Sequence, residues 1–243
     1  MGNDIKSLKE RFAYLKRVFA SGDKSGMTDD IFNKFLSQAR TGVDFFTDDR
    51  LTNKAKNHEN INYFCDAAAK KVLASFLISK NSNDNTIRGP LYSNRRAIDF
   101  DGYKIIPPRN PITNLGLPAF NKGSKIFSTQ DFDNGLGLLI NGVQYAYIFV
   151  EEFGLNSIGI PKIRFKFLFY DVFGLDDDDL YEYGTSIKDN ALGFAAAQGI
   201  NSWWQLQHQF NYKPVITRIP ITKEYTLYNK IVGVQGVGYG FDL

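Results

Sequence analysis

The chain has 243 residues, enough for one large domain or for one domain with a helical appendage. Its 29 basic and 26 acidic residues leave a net charge of +3 with no dense Lys/Arg block, which argues against nucleic acid as a partner. A single cysteine and two histidines exclude an intramolecular disulfide, a cysteine-based zinc site and a histidine-rich metal site, so no metal and no cofactor is called for, and only an all-oxygen cation site stays open.

The N-terminus starts Met-Gly-Asn-Asp and passes straight into an amphipathic pattern, with neither a basic n-region nor an apolar h-region. Lys6 stands where a myristoylation motif has Ser or Thr. No stretch has the apolar length of a membrane span. The expectation is a chain made in the cytoplasm without a signal peptide, with export left to a dedicated delivery system.

Ile5, Leu8, Phe12, Leu15 and Phe19 recur at helical spacing and predict a first helix. Thr28 reads as the N-cap of a second, with Asp29 and Asp30 in its first turn and Ile31, Phe32, Phe35, Leu36 and Ala39 along one face. Gly42 closes it. A third helix is expected from about Asn60 to Ser79, with Cys65, Ala69, Val72 and Phe76 inside. From Lys80 to Gly89 the composition turns to Asn, Ser, Asp and Thr, which marks a linker. Residues 1–80 therefore read as an N-terminal helical region and 81–243 as a mixed domain.

Asn141-Gly142 between apolar runs predicts a two-residue hairpin over Leu136–Val150. Ile163, Phe165, Phe167 and Phe169 alternate as in a strand with one buried face, continuing an antiparallel meander. Asn190 and Ser202 read as caps of two successive helices, the first ending at Gly199. Pro214 and Pro220 mark the Val215–Ile221 strand as an edge, and a last strand lies within Ile231–Phe241. The expected fold class is α+β: N-terminal helices packed on a mainly antiparallel sheet, with a helical insertion between the last strands.

Asp171 continues the alternation of the phenylalanine strand. There it is either a partly desolvated carboxylate able to act as acid or base, or the cap of a turn where the strand has ended. Asp131 and Asp133 precede the Asn-Gly turn; they make Asx turns, or they converge with Asp171 as the pair of carboxylates, about 5 to 9 Å apart, that glycoside cleavage needs. Asp176 to Asp179 offers oxygen ligands but lacks calcium-loop spacing, and Asp176 as an N-cap is the simpler account. His208, one turn after Trp204, could be a general base or an ordinary surface histidine. Cys65 with His208 could form a cysteine-hydrolase pair, yet Cys65 is in phase with an apolar stripe and reads as a buried thiol. Trp203 and Trp204 could stack on sugar rings, or divide between core and rim. Tyr170 neighbours Asp171 and joins them as a candidate substrate contact.

The segment Tyr170-Asp171-Val172-Phe173-Gly174-Leu175-Asp176 with Asp179-Leu180, then Trp203 to Gln207, then Tyr212-Lys213-Pro214 with Ile216-Thr217, resembles an uncharacterised bacterial family, domain of unknown function 3289. The resemblance covers roughly Phe127 to Ile221. Where the family has Asp-His-Phe-Gly, this chain has Asp171-Val172-Phe173-Gly174, so any role of that histidine is lost. Members occur alongside type VI secretion and other toxin-delivery proteins. The resemblance implies an interbacterial effector or toxin-like protein and supplies no mechanism; together with the carboxylates and aromatics expected around one sheet end it gives an antibacterial effector acting on the cell envelope, in its sharpest form a peptidoglycan hydrolase. Asp171 with Asp131 or Asp133 would be the acid and base, and Trp203, Trp204, Tyr170 and His208 would line the groove. The implied partners are an envelope substrate, an immunity protein and a component of the secretion apparatus. The alternative is a non-enzymatic cargo, adaptor or structural subunit of an injection particle, docked through the apolar stripes of the N-terminal helices. A pore-forming hairpin over Leu136–Val150 ranks last.

Overall fold

The computed structural model describes residues 4–37, 44–79, 92–94, 97–98, 105–106, 135–140, 143–185, 191–231 and 237–241. In chain order the elements are α1 (Ile5–Phe19), α2 (Met27–Ser37), β1 (Asp44–Thr47), α3 (Asp49–Lys56), α4 (Glu59–Ser79) and the short strands β2 (Tyr92–Asn94), β3 (Ala97–Ile98) and β4 (Ile105–Ile106). They continue with α5 (Leu136–Leu139), β5 (Tyr145–Leu155), β6 (Pro161–Phe173), α6 (Asp177–Thr185), α7 (Ala191–His208), β7 (Val215–Ile231) and β8 (Val237–Phe241). The fold is α+β: N-terminal helices, then a mixed sheet, with α6 and α7 inserted between β6 and β7.

A six-stranded sheet runs in the order β1-β7-β6-β5-β2, with β8 also pairing to β7. Only β1 is parallel to its neighbour; it lies beside β7 from Asp44↔Val215 to Thr47↔Arg218. β6 is the central ribbon. Ile163, Phe165, Phe167, Phe169, Asp171 and Phe173 are all buried on one face, while Arg164, Lys166, Tyr170 and Val172 on the other are half-buried. The strand runs past Asp171 to Phe173, so Asp171 holds its place in the alternation and does not cap a turn.

The helices supply the second layer. On α1, Leu8, Phe12, Leu15 and Phe19 are buried at the spacing of one helix face. Phe12 stacks on Phe32 of α2 at 4.3 Å and meets Trp203 of α7 edge-on at 5.5 Å. Phe173 closes the cluster, 4.5 Å from the Trp203 ring. One buried cluster thus joins residues from Leu8 to Tyr225, drawing on both sides of the segment around Asn81.

Four local readings of the sequence are corrected. First, Leu136–Leu139 is a helical turn and not the first arm of a hairpin; Asn141 and Gly142 lie outside the described residues. The hairpin is β5–β6, closed by residues 156–160. Second, Gly199 does not end a helix. It lies within the continuous α7, where a Cβ would stand 2.6 Å from Leu15 Cδ2 and 3.0 Å from the Arg11 carbonyl. Glycine is there because α1 crosses α7 at that point, and Ser202, read as a cap, is buried inside the same helix. Third, Thr28 is not a cap. Asp23 takes that part, accepting the Thr28 backbone N–H at 2.9 Å and its hydroxyl at 2.7 Å. Fourth, β7 is flanked on both sides at Val215–Arg218, by β1 and β6. Pro220 falls just beyond β1, where among the described residues β6 is the one neighbour, so the edge reading holds there.

Candidate functional site

The site is built where β6 ends. Gly174 turns the chain out of the strand; a Cβ on it would lie 2.8 Å from Pro214 Cβ and 3.0 Å from Gln207 Oε1, so only glycine fits without displacement. Gln207 then grips the next residue from both sides. Its Oε1 accepts from the Leu175 N–H at 3.0 Å, and its Nε2 donates to the Leu175 carbonyl at 2.9 Å. The same carbonyl takes a second donor, His208 Nε2, at 2.8 Å. A carbonyl only accepts, so His208 carries its proton on Nε2.

Asp176 and Asp179 form a reciprocal cap at the start of α6: Asp176 Oδ1 accepts the Asp179 N–H at 2.9 Å and Asp179 Oδ2 accepts the Asp176 N–H at 3.1 Å. The four-aspartate run is therefore a helix start, as its simpler account had it. Asp177, on the first turn, accepts from Trp204 Nε1 at 2.9 Å. The Trp204 and His208 rings lie 4.8 Å apart and 28° from parallel. The result is a fixed aromatic pair on the outside of α7, held at one end by Asp177 and at the other by the Leu175 carbonyl. Asp178, the next residue of α6 after Asp177, is exposed, and Tyr181, one turn along α6 from Asp177, is 78% exposed.

The sequence candidates separate in space. Trp204 is half-buried and His208 exposed, and these two belong together. Trp203 is core, 4% exposed, against Phe12, Phe35 and Phe173, and its Nε1 has no hydrogen-bond partner among the described residues. Asp171 is 5% exposed on the core face between Phe169 and Phe173. Its backbone carbonyl accepts from the Thr217 hydroxyl at 3.1 Å across the ladder. Tyr170 faces the opposite side of the sheet, its ring 6.3 Å from that of Phe45. Asp131 and Asp133 lie outside the described residues. The structure thus brings Trp204 and His208 together with Asp177, while Asp171 points into the interior and His208 into solvent. Asp177 and Gln207 were not among the sequence candidates; the signals for them were the aspartate run and the Trp-x-x-Leu-Gln spacing.

Cys65 is fully buried, and burial pushes its thiol up to about 12, which makes it an inert core residue. It lies on α4, whose Asp66 accepts from Lys223 Nζ at 3.0 Å and the Tyr225 hydroxyl at 2.8 Å. Among the described residues no group of three His, Cys, Asp or Glu side chains is placed to hold a metal, and no helix is long and apolar enough to cross a membrane.

Compared with protein-family models, curated proteins and solved structures, the chain matches none. The motif residues singled out in the sequence each have a place in the structure. Gly174 and Pro214 pack together, Leu175 is clamped by Gln207, Asp176 and Asp179 cap α6, Trp203 fills the core, and Thr217 bonds across to Asp171. These motif residues hold one corner of the fold together, and each has a structural task there.

Proposed function

We propose that the chain is an antibacterial effector carried by a secretion or contractile injection system, and that it engages the cell envelope through the Trp204–His208 surface. The resemblance read over 127–221 supports delivery by such a system. One observation supports the surface: the stacked Trp204–His208 pair, fixed by Asp177 and by the Leu175 carbonyl. An oriented aromatic face next to a carboxylate and an imidazole suits a polyhydroxylated ligand, which is bound by stacking with hydrogen bonds at the ring's edge. Peptidoglycan glycan strands have that chemistry.

The test is co-sedimentation of the pure protein with purified sacculi, with analysis of the soluble fraction. The expected result is binding, weakened at least several-fold by Trp204→Ala and by His208→Ala. Absence of binding, or binding indifferent to both substitutions, would refute the proposal.

A second reading keeps catalysis at Asp171 as a peptidoglycan hydrolase. It is favoured by a carboxylate buried between Phe169 and Phe173 near the end of β6. Release of muropeptides by the parent protein and not by Asp171→Asn, with the fold unchanged, would favour it. The cargo or adaptor alternative drew on unpartnered apolar stripes of the N-terminal helices. The described residues of those stripes, from Leu8 to Phe35 and from Ile61 to Ala69, are buried in the chain's own core, which weakens that motivation.

A further inference from the structure

The opposite end of β6 carries a feature that the Trp204 surface does not use. The turn over 156–160 is closed by its own atoms. Asn156 Oδ1 accepts from the N–H groups of Ile158 at 3.1 Å and Ile160 at 2.8 Å. The Asn156 N–H donates to the Ile160 carbonyl at 2.8 Å, and the Gly159 N–H to the Asn156 carbonyl at 3.0 Å. Gly159, at φ +77°, allows the left-handed step that the turn requires. The peptide N–H groups of 156, 158, 159 and 160 are thus satisfied inside the turn. Its side chains show the reverse: Leu155 is 66% and Ile158 75% exposed.

Just behind the tip, Glu152, Lys162, Arg164 and Glu224 form a cross-strand collar. Arg164 reaches Glu152 at 2.7 Å and Glu224 at 3.1 Å, and Lys162 reaches Glu224 at 3.3 Å. At this same end β7 outruns β6. Its last partner on β6 is Lys162, opposite Thr226; from Leu227 to Ile231 it pairs with β8, closing at Ile231↔Val237.

We propose that this end of the sheet makes contact with a lipid bilayer surface, with Leu155 and Ile158 entering the interfacial zone and the charged collar staying at headgroup level. Three arguments favour lipid over a protein partner. Two aliphatic side chains are far less than the roughly 800 Å² per side of a stable protein interface. Neither of the two is a Trp, Tyr or Arg, the residue types on which such interfaces concentrate their energy. And a turn whose amides are already bonded enters an apolar medium with fewer polar groups to desolvate, whereas it offers little to a partner that docks by backbone pairing. The apolar zone is only one turn deep, so the contact is peripheral. The collar charges are paired with one another, so anionic lipid adds little.

The inference is independent of the Trp204 surface, which lies at the far end of β6, and its test separates the two. The full chain is floated with vesicles of phosphatidylcholine alone and of phosphatidylethanolamine with phosphatidylglycerol. The parent protein is expected to float with both, with at most a few-fold preference for the anionic vesicles. Leu155→Ser and Ile158→Ser should each cut the bound fraction about tenfold or more. Ser157→Asp, which sets a charge at the exposed tip and removes no packing, should abolish flotation, and Trp204→Ala should leave it unchanged. Failure of the parent protein to float, flotation of Ser157→Asp like the parent, or binding confined to anionic vesicles would each overturn the proposal. So would self-association lost in Ile158→Ser without any flotation, which would make the tip a protein interface.

Discussion

The two ends of β6, roughly 40 Å apart along a strand of 13 residues, are held by different means. At the Phe173 end, contacts come from far away in sequence. Gln207 and His208 bond Leu175, Pro214 presses on Gly174, and Phe12, Phe32 and Trp203 surround Phe173. At the Pro161 end the turn is closed by Asn156 and Gly159 within itself, and its large side chains face water. Long-range contacts make one end part of the cooperative core; local ones leave the other free to meet something else. Gly174, Leu175, Asp176, Asp179, Gln207 and Pro214 lie at the first end and hold the fold there. The exposed apolar tip, which no motif marks, is what the fold leaves over for a surface.

The sharpest way to break this contrast is to truncate one side chain at each end. Trp203→Ala should cost about 3–5 kcal/mol in urea unfolding, because it empties the space between α1, α2 and β6. Ile158→Ala should stay within about 0.5 kcal/mol, since its side chain is already in water. Equal losses would mean that the two ends are not distinct.

A second test uses charge. The Asp23 side chain is 1% exposed and bonded to Lys54 Nζ at 2.8 Å. Burial pushes its carboxyl up, but the hydrogen bonds of Lys54, Ser25 and Thr28 outweigh this and hold it well below the usual carboxylate range. A depressed folded pKa means stabilisation that is complete above the unfolded value of about 4 and lost as pH falls below it. Asp23→Asn should therefore cost roughly 3 kcal/mol at neutral pH, and the gap to the parent should close as the melting temperature is followed from neutral pH to below 4. A gap that stays constant with pH would show that the role of Asp23 is not that of a charge.

A smaller effect is expected from Gly174→Ala, about 2 kcal/mol, since the added methyl must displace the Pro214 ring or the Gln207 amide. In the same melts, Gly159→Ala at the other end would cost about 1 kcal/mol from its positive φ alone, with nothing within 4 Å of the new methyl. Reversal of that order would put the tighter turn at the tip.

What could be read in advance follows the same division. The β6 alternation was legible because one face is core over the whole strand, and it carried Asp171 to its observed position. The Asp176 cap was legible because capping is local. Gly199 was misread because its partner, Leu15, lies on another helix near the N-terminus. β1 went unread for the same reason: four residues pair in parallel with a strand far along the chain. Leu136–Leu139 fits a helix or a strand equally well by pattern, and the nearby Asn-Gly decided it wrongly. At the candidate site the residue types Trp204 and His208 stood out, but the Gln207 clamp and the Asp177 acceptor are relations between α7 and the chain leaving β6. Periodicity does not encode such relations.

The smallest expected effect is at the collar. Glu224 is held below the usual carboxylate range by the hydrogen bonds of Arg164 and Lys162. The sign is the same as for Asp23: the pairing stabilises above the ordinary glutamate value and is lost on acidification. Glu224 faces solvent, however, so water and salt screen the attraction and ordering two long side chains offsets it. Glu224→Gln should leave the urea midpoint and the acid profile superimposable on the parent, and added salt should change neither. If it instead reproduced the acid dependence of Asp23→Asn, the tip would be held by its charges. The collar would then be part of the fold's cohesion, and it could not remain paired and idle while the two aliphatic side chains enter a bilayer.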